Sequence, residues 1–168
     1  MKKIFSFLLL FTLSLAVKAQ DNYKDNYKNY CNGRFEFCVT YPANLATPQP
    51  ESANGDGCKM LAKQGKAKIT TWGNLAMTFV VEGNADFDKV EELKNDFEAA
   101  QKAKKVTYKV LKKDWFVVSG TDENGLIFYR KTIHKGLIVI TVLIEYPSTE
   151  KAIWDKECGK IAGSLKFE

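Results

Sequence analysis

The sequence predicts an α+β fold: an antiparallel β-sheet with helices on both faces. Three observations predict it. The stretch GLIVITVLIEYP at 136–147 is apolar on both alternating sides, with Ile138, Ile140, Val142 and Ile144 on one and Leu137, Val139 and Leu143 on the other. A strand side meets water only where its residues tolerate water, so this strand needs cover above and below and belongs at the centre of a sheet. Two segments, 86–104 and 148–165, carry apolar residues at helical spacing and can each supply a covering layer. The segments between are short, β-patterned and separated by tight-turn signals, which makes neighbouring strands antiparallel.

The chain begins with a segment that does not belong to the fold. Lys2 and Lys3 precede a mostly apolar run at 4–15, and Val17 and Ala19 stand at the small-residue positions of a cleavage site. Residues 1–19 therefore read as a secretory signal cut after Ala19. The run is shorter than the ~20 residues of a spanning helix, and no later stretch reaches that length. No cysteine follows the cut to accept a lipid, so a periplasmic or secreted protein is expected. Residues 20–33, with the repeat DNYK-DNYK-NY, read as a flexible polar spacer whose Tyr23, Tyr27 and Tyr30 lack apolar support, with a carbohydrate- or partner-contacting tyrosine patch as the alternative. A single globular domain is expected over 34–168.

Residues 34–41 alternate, with Phe35, Phe37, Val39 and Tyr41 on one side and Glu36, Cys38 and Thr40 on the other. That pattern is a half-buried strand, and Pro42 ends it. A long irregular loop at 43–57 follows, with Pro48, Pro50, Gly55 and Gly57; loops of this length in compact domains tend to be functional or mobile. Strands are expected at 58–62 and 67–72, turning at Gln64-Gly65. Gly73-Asn74 should break the chain before a further strand at 76–82. The helix at 86–104 presents Phe87, Val90, Leu93, Phe97 and Ala100. Asn84 or Asp86 can cap it, and Asp88, Glu91 and Glu92 early with Lys102, Lys104 and Lys105 late suit the helix dipole. A meander of strands at 106–111, 115–119 and 126–133 then leads into the central strand. Ser148 or Thr149 caps a last helix whose apolar face is Ile153, Trp154, Cys158, Ile161 and Leu165.

Length and charge narrow the class. The part after position 19 suits one domain, which would bury roughly 70% of its unfolded surface. The formal charge is +5, but Lys2, Lys3 and Lys18 supply three of the 25 basic residues, so the remainder nearly balances the 20 acidic ones. Nucleic-acid binders carry a much stronger basic bias, and that class is set aside.

Four cysteines, Cys31, Cys38, Cys58 and Cys158, favour two disulfides in an oxidising compartment, with three possible pairings and buried free thiols as the alternative. If Asn32-Gly33 makes a tight hairpin, Cys31 faces Arg34 and Cys38 lies roughly 13 Å along the strand, too far to bridge. The favoured pairing is then Cys38 with Cys58 and Cys31 with Cys158, each closed loop stabilising the fold by roughly 3–5 kcal/mol. No C-x-x-C is present and His134 is the only imidazole, so zinc-type spacing is missing.

Catalytic constellations are nearly absent. His134 falls beside Lys135-Gly136 and reads as a solvated turn residue. Ser148 to Lys151 matches S-x-x-K in letters but lies where a helix starts. Glu51, Asn54 and Asp56 offer oxygen ligands in the 43–57 loop, yet the alternating acids and final Glu of an EF-hand are missing. The Gly55-Asp56-Gly57 run reads instead as a tight turn. No catalytic residue, no metal and no cofactor are expected. Lys102, Lys104, Lys105, Lys109, Lys112 and Lys113 read as a solvated face, with an acidic partner surface as the alternative. Trp72, Trp115 and Trp154 read as core or sheet–helix contacts. Trp72, at a strand end, can instead line a pocket with the 43–57 loop, so Glu51, Asn54, Asp56 and Trp72 form the candidate binding loop.

The order of elements, together with RFEFCVTYP at 34–42, PQPESANGDG at 48–57 and the ends EYP and SLKF within 145–167, resembles the PsbP-like α/β/α sandwich family over 34–168. That family includes an extrinsic photosystem protein, a Ran-binding import factor and many small exported bacterial domains. The resemblance implies binding or assembly roles and no shared catalytic residues. A cystatin-like fold, a helix wrapped by a four-strand meander, is the alternative. The function expected is an exported, non-enzymatic binding or accessory domain that presents the 43–57 loop or a sheet edge to a cell-envelope or secreted protein. An inhibitor or toxin-neutralising protein is the second reading, and a small hydrolase using Glu or Asp with His134 the third.

Overall fold

The computed structural model describes residues 26–76, 89–102 and 104–168. The expected signal segment, the start of the spacer, most of the strand at 76–82, the cap at Asn84 or Asp86 and the side chains of Phe87 and Val90 lie outside the described residues. In chain order the described elements are β1 (Tyr27–Asn32), β2 (Phe37–Pro42), β3 (Ala46–Pro48), β4 (Gly57–Ala62), β5 (Lys68–Leu75), α1 (Lys89–Ala99), β6 (Lys104–Leu111), β7 (Trp115–Asp122), β8 (Ile127–Lys135) and β9 (Ile138–Tyr146). A 3-10 turn, Ser148–Glu150, then enters α2 (Lys151–Ser164), and β10 (Lys166–Phe167) closes the chain.

Among the described residues two sheets form where one was expected. A seven-stranded sheet runs β3-β4-β5-β9-β8-β7-β6, and a three-stranded sheet runs β1-β2-β10. All the pairings are antiparallel. β9, the doubly apolar stretch, is the fourth of seven strands, and its Ile140, Val142 and Ile144 are fully buried. Each such isoleucine or valine stabilises the fold by about 1.5–3 kcal/mol relative to an exposed position. They share a core cluster with Phe37, Val39 and Tyr41 of β2 and with Trp154, Cys158 and Ile161 of α2. A second cluster joins Leu93, Phe97 and Ala100 to Phe116, Val118 and Phe128, with Leu143 of β9 packed against it. From β9, Ile138, Ile140, Val142, Ile144 and Tyr146 belong to the first cluster and Leu143, on the alternate side of the strand, packs against the second.

Several sequence expectations are corrected by pairing. The residues 27–32, expected within a flexible spacer, form β1 because their backbone pairs along the whole of β2, from Tyr27 with Pro42 to Asn32 with Phe37. Gly73 does not break the chain: β5 runs on to Leu75 because its backbone stays paired with β9, Gly73 with Ile140 and Leu75 with Ile138, and the glycine leaves room for the Phe35 ring of the turn between β1 and β2, which a Cβ would approach to 2.4 Å. α1 stops at Ala99, and Lys104 and Lys105 belong to β6 rather than to the helix. The Lys104 ammonium still serves the helix end by donating to the Ala100 carbonyl at 3.2 Å.

The last helix is capped differently from expectation. Neither Ser148 nor Thr149 caps it, and the residue before α2, Glu150, makes no side-chain cap bond. The Glu150 carboxylate instead accepts from the backbone N–H of Lys66 at 2.6 Å and of Ala67 at 3.2 Å, tying α2 to the β4–β5 turn. Gly65 in that turn has φ 90°, and a Cβ there would meet the same carboxylate at 2.5 Å. On α2 the residues Trp154, Cys158 and Ile161 are buried as expected, but Ile153 is half exposed, and Glu157 is buried in its place beneath the Tyr27 hydroxyl.

Candidate functional site

Residues 49–56 leave β3 and return into β4 as a loop held by its own short side chains. The Ser52 hydroxyl donates to Asp56 Oδ1 at 2.5 Å and the Asn54 amide donates to Asp56 Oδ2 at 2.7 Å. The Ser52 bond first, and then the Asn54 bond, hold the Asp56 carboxyl below its ordinary range. Gly55 turns the chain at φ 65°. The Asp56 carbonyl accepts from Gly73 N at 2.8 Å, which fixes the loop to β5. A Cβ at Gly57 would lie 2.0 Å from the Thr71 carbonyl, so the last glycine of the NGDG run admits a close backbone approach.

The β1–β2 hairpin grips the loop from the small sheet. Tyr30 donates to Glu51 Oε1 at 2.7 Å, Asn32 Nδ2 donates to the Gly55 carbonyl at 3.0 Å, and the Arg34 guanidinium donates to the Asn54 carbonyl. Asn32 is buried, and its Oδ1 also accepts from Phe35 N at 2.9 Å. Burial first, with the Glu51 carboxylate adding to it and the Asn32 bond opposing it, pushes the Tyr30 phenol up to about 12.

The hairpin is itself stapled by a disulfide between Cys31 and Cys38, which corrects both expected pairings. Asn32-Gly33 is not a two-residue turn. Residues 33–36 make a wider one, with Glu36 in the left-handed region at φ 50°, and this brings Cys31 directly opposite Cys38 with 4.1 Å between Cα atoms. Glu168 Oε1 lies 2.9 Å from Cys38 Sγ; a disulfide sulfur carries no proton, so this is a contact and not a hydrogen bond. Cys31, Cys38 and Glu168 are close enough together to suggest a metal cluster, but sulfurs bonded to each other are not thiolate ligands. Cys58 and Cys158 are free and buried.

Loop, β4 and β5 together enclose a cleft of about 530 Å³. Gln49, Pro50 and Asp56 wall it on the loop side, and Lys59, Thr70 and Trp72 on the strand side. Trp72 is half buried, and the Arg130 guanidinium lies 5.9 Å from its ring centroid and 5.5 Å from that of Phe116. Arg130 also donates from Nε to Thr132 at 3.1 Å, so the tryptophan is steadied by a cation that is itself fixed. Of the four expected site residues, the structure brings Asp56 and Trp72 together on the cleft. Glu51 and Asn54 are drawn to the hairpin instead.

Sequence reading missed Lys59 and Thr70, although strand alternation sets Thr70 on the same side as Trp72. In the sequence Asn32 is hidden in the polar spacer, Arg34 reads only as the start of a strand, and Tyr30 only as one of a tyrosine patch.

A second cleft, of about 470 Å³, lies between α2 and the meander and holds Tyr129, Tyr146, Asp155 and Cys158. Tyr146 donates to Asp155 Oδ1 at 2.7 Å. Burial pushes the Cys158 thiol up to about 11 and also raises Cys58, whose Sγ donates to the Gln49 carbonyl at 3.3 Å. Both thiols are protonated and shielded near neutral pH, the opposite of an activated nucleophile. His134 is not a solvated turn residue: it lies in β8, its side chain is 7% exposed, and its Nε2 meets Asp96 of α1 at 3.1 Å. Among the described residues no helix is long and apolar enough to cross a membrane.

No protein-family model matches the sequence, and no curated protein matches it. Among solved structures the chain is similar to cyanobacterial PsbP from Synechocystis sp. PCC 6803 as determined in solution. The TM-score is 0.55 at 10% sequence identity, with 85% of this chain and 93% of that chain covered. The chain has a PsbP-like fold, and at that identity the likeness concerns the fold alone.

Proposed function

We propose that this PsbP-like chain is an exported, non-enzymatic binding or accessory domain of the periplasm or cell envelope, and that the Trp72 cleft is where it takes hold of a protein partner. One observation carries the reading. The 49–56 loop is fastened by the Tyr30, Asn32 and Arg34 contacts and by the Gly73–Asp56 bond, so the cleft is shaped before anything enters it. A preformed cleft spares the ordering cost of binding, and a half-buried tryptophan is the side chain most often central to protein recognition. The signal-like segment at 1–19 and the Cys31–Cys38 disulfide are both compatible with export. The protonated thiols and the engagement of His134 with Asp96 support a binding rather than a catalytic role. In this reading α1 and α2 roof opposite faces of the large sheet, supported by Leu143 of β9 packing against the α1 cluster while its neighbours Val142 and Ile144 lie in the α2 cluster.

The test is a photo-crosslinking residue in place of exposed Lys59, used in the envelope fraction of the native cell. One protein should be captured, and its affinity for the purified chain should fall about tenfold or more in Trp72→Ala. Capture that is indifferent to Trp72→Ala would remove the cleft from the interface. If the captured protein is an enzyme that the purified chain silences, the inhibitor reading replaces the accessory one.

A further inference from the structure

Among the described residues β6 is an edge strand of the large sheet, and we propose that it is a docking edge for an extended acidic segment of another protein, which adds to the sheet as a further strand. The two edges of this sheet differ. β3 has three residues and ends in Pro48, which blunts it. β6 has eight residues, most of them exposed, and Tyr108 and Leu111 stand 52% and 40% open to solvent.

The backbone register shows which groups face outward. Lys112 N donates to the Trp115 carbonyl at 2.8 Å, so positions 112 and 115 form a hydrogen-bonded pair. Pairs of the two kinds alternate along an antiparallel ladder. Val110 opposite Val117 and Tyr108 opposite Ser119 therefore point their N–H and C=O groups inward, while Lys109 and Leu111 point theirs out of the sheet. The irregularity between Val106 and Tyr108 confines the straight part of the edge to 108–111.

Charge selects the occupant. Between 102 and 113 the chain has six lysines and no acid. Among the described residues Lys102, Lys105, Lys112 and Lys113 form no salt bridge, and Lys109 Nζ meets only the neutral Gln101 Oε1 at 2.9 Å. Lysines on an edge commonly prevent two copies from pairing, and here a second copy would set lysine against lysine. An acidic extended segment meets the same residues as attraction. One set of side chains thus rejects self-association and favours the acidic partner, while the outward amides supply the strand addition. This edge is distinct from the Trp72 cleft and stands or falls separately from it.

The experiment titrates the full chain with a short synthetic peptide of Val, Thr and Glu, with a Val, Thr and Lys peptide as control, and follows amide hydrogen exchange by NMR. The acidic peptide should bind, the basic one should not, and the amides of Lys109 and Leu111 should gain protection. Leu111→Pro removes an outward donor and spares the β6–β7 ladder, so affinity should fall about tenfold or more with the unfolding midpoint kept. Should Leu111→Pro fail to fold, the exchange pattern of the unaltered chain decides. Binding without protection at Lys109 and Leu111 would be adsorption to lysines alone and would overturn the proposal, as would no binding at all.

Discussion

Single glycines decide where this chain can approach itself. Gly73 admits the Phe35 ring from the turn between β1 and β2, and Gly57 admits the backbone of β5. Gly159, on the open side of α2, has nothing within 4 Å of where a Cβ would stand. The two kinds of glycine should respond to alanine with opposite signs. Gly73→Ala drives a methyl into a packed ring and should destabilise by about 1–3 kcal/mol. Gly159→Ala removes backbone entropy from the unfolded chain and should stabilise by about 0.5–1 kcal/mol. Urea unfolding of the two variants checks both, and a neutral Gly73→Ala would mean that Phe35 does not pack as described. In the sequence Gly73-Asn74 looks like an ordinary chain break, because the residue that requires the glycine lies 38 positions earlier.

Among the elements, the β1–β2 hairpin controls the candidate site without lining the cleft. Its disulfide, with a sequence separation of 7, closes a short loop, which places its contribution at about 2–3 kcal/mol in the chain-entropy model. Replacing Cys31 and Cys38 together by Ser should cost about that much. It should also speed amide exchange at Gly55, Asp56 and Gly57 while the β9 amides stay nearly unchanged. Unaltered exchange in the loop would show that the Tyr30, Asn32 and Arg34 contacts do not depend on the staple. β1 was illegible because its one buried position is an asparagine and its half-buried ones, Tyr27 and Tyr30, are three apart, so neither alternation nor apolar content marks it as a strand. β9, by contrast, declares itself: nine residues in sequence are apolar but for Thr141, Glu145 and Tyr146.

Across the whole molecule, stability should depend on pH at the alkaline end. Cys158 is raised from 9.0 to about 11, mainly by burial, and Tyr30 from 10.0 to about 12. The folded chain holds these protons more tightly than the unfolded one. Their contribution is therefore complete below pH 9 and is lost as pH rises through 11 and 12. Urea midpoints measured from neutral to alkaline pH should fall over that window, and Cys158→Ser should flatten the part between 9 and 11. A midpoint constant up to pH 11 would contradict the burial of the thiol.

The α+β class, the central place of 138–146 and the apolar faces of α1 and α2 follow from local periodicity, which a strand or helix displays in its own residues. The separation into two sheets, the partner of each cysteine and the side chains that face the cleft depend on which distant backbones pair. A pattern of side chains specifies which surfaces must be covered but not which remote segment covers them. That is why Asp56 and Trp72 were legible as neighbours of a loop, while Lys59, Thr70 and the stapled hairpin behind them emerged only once the chain had closed on itself.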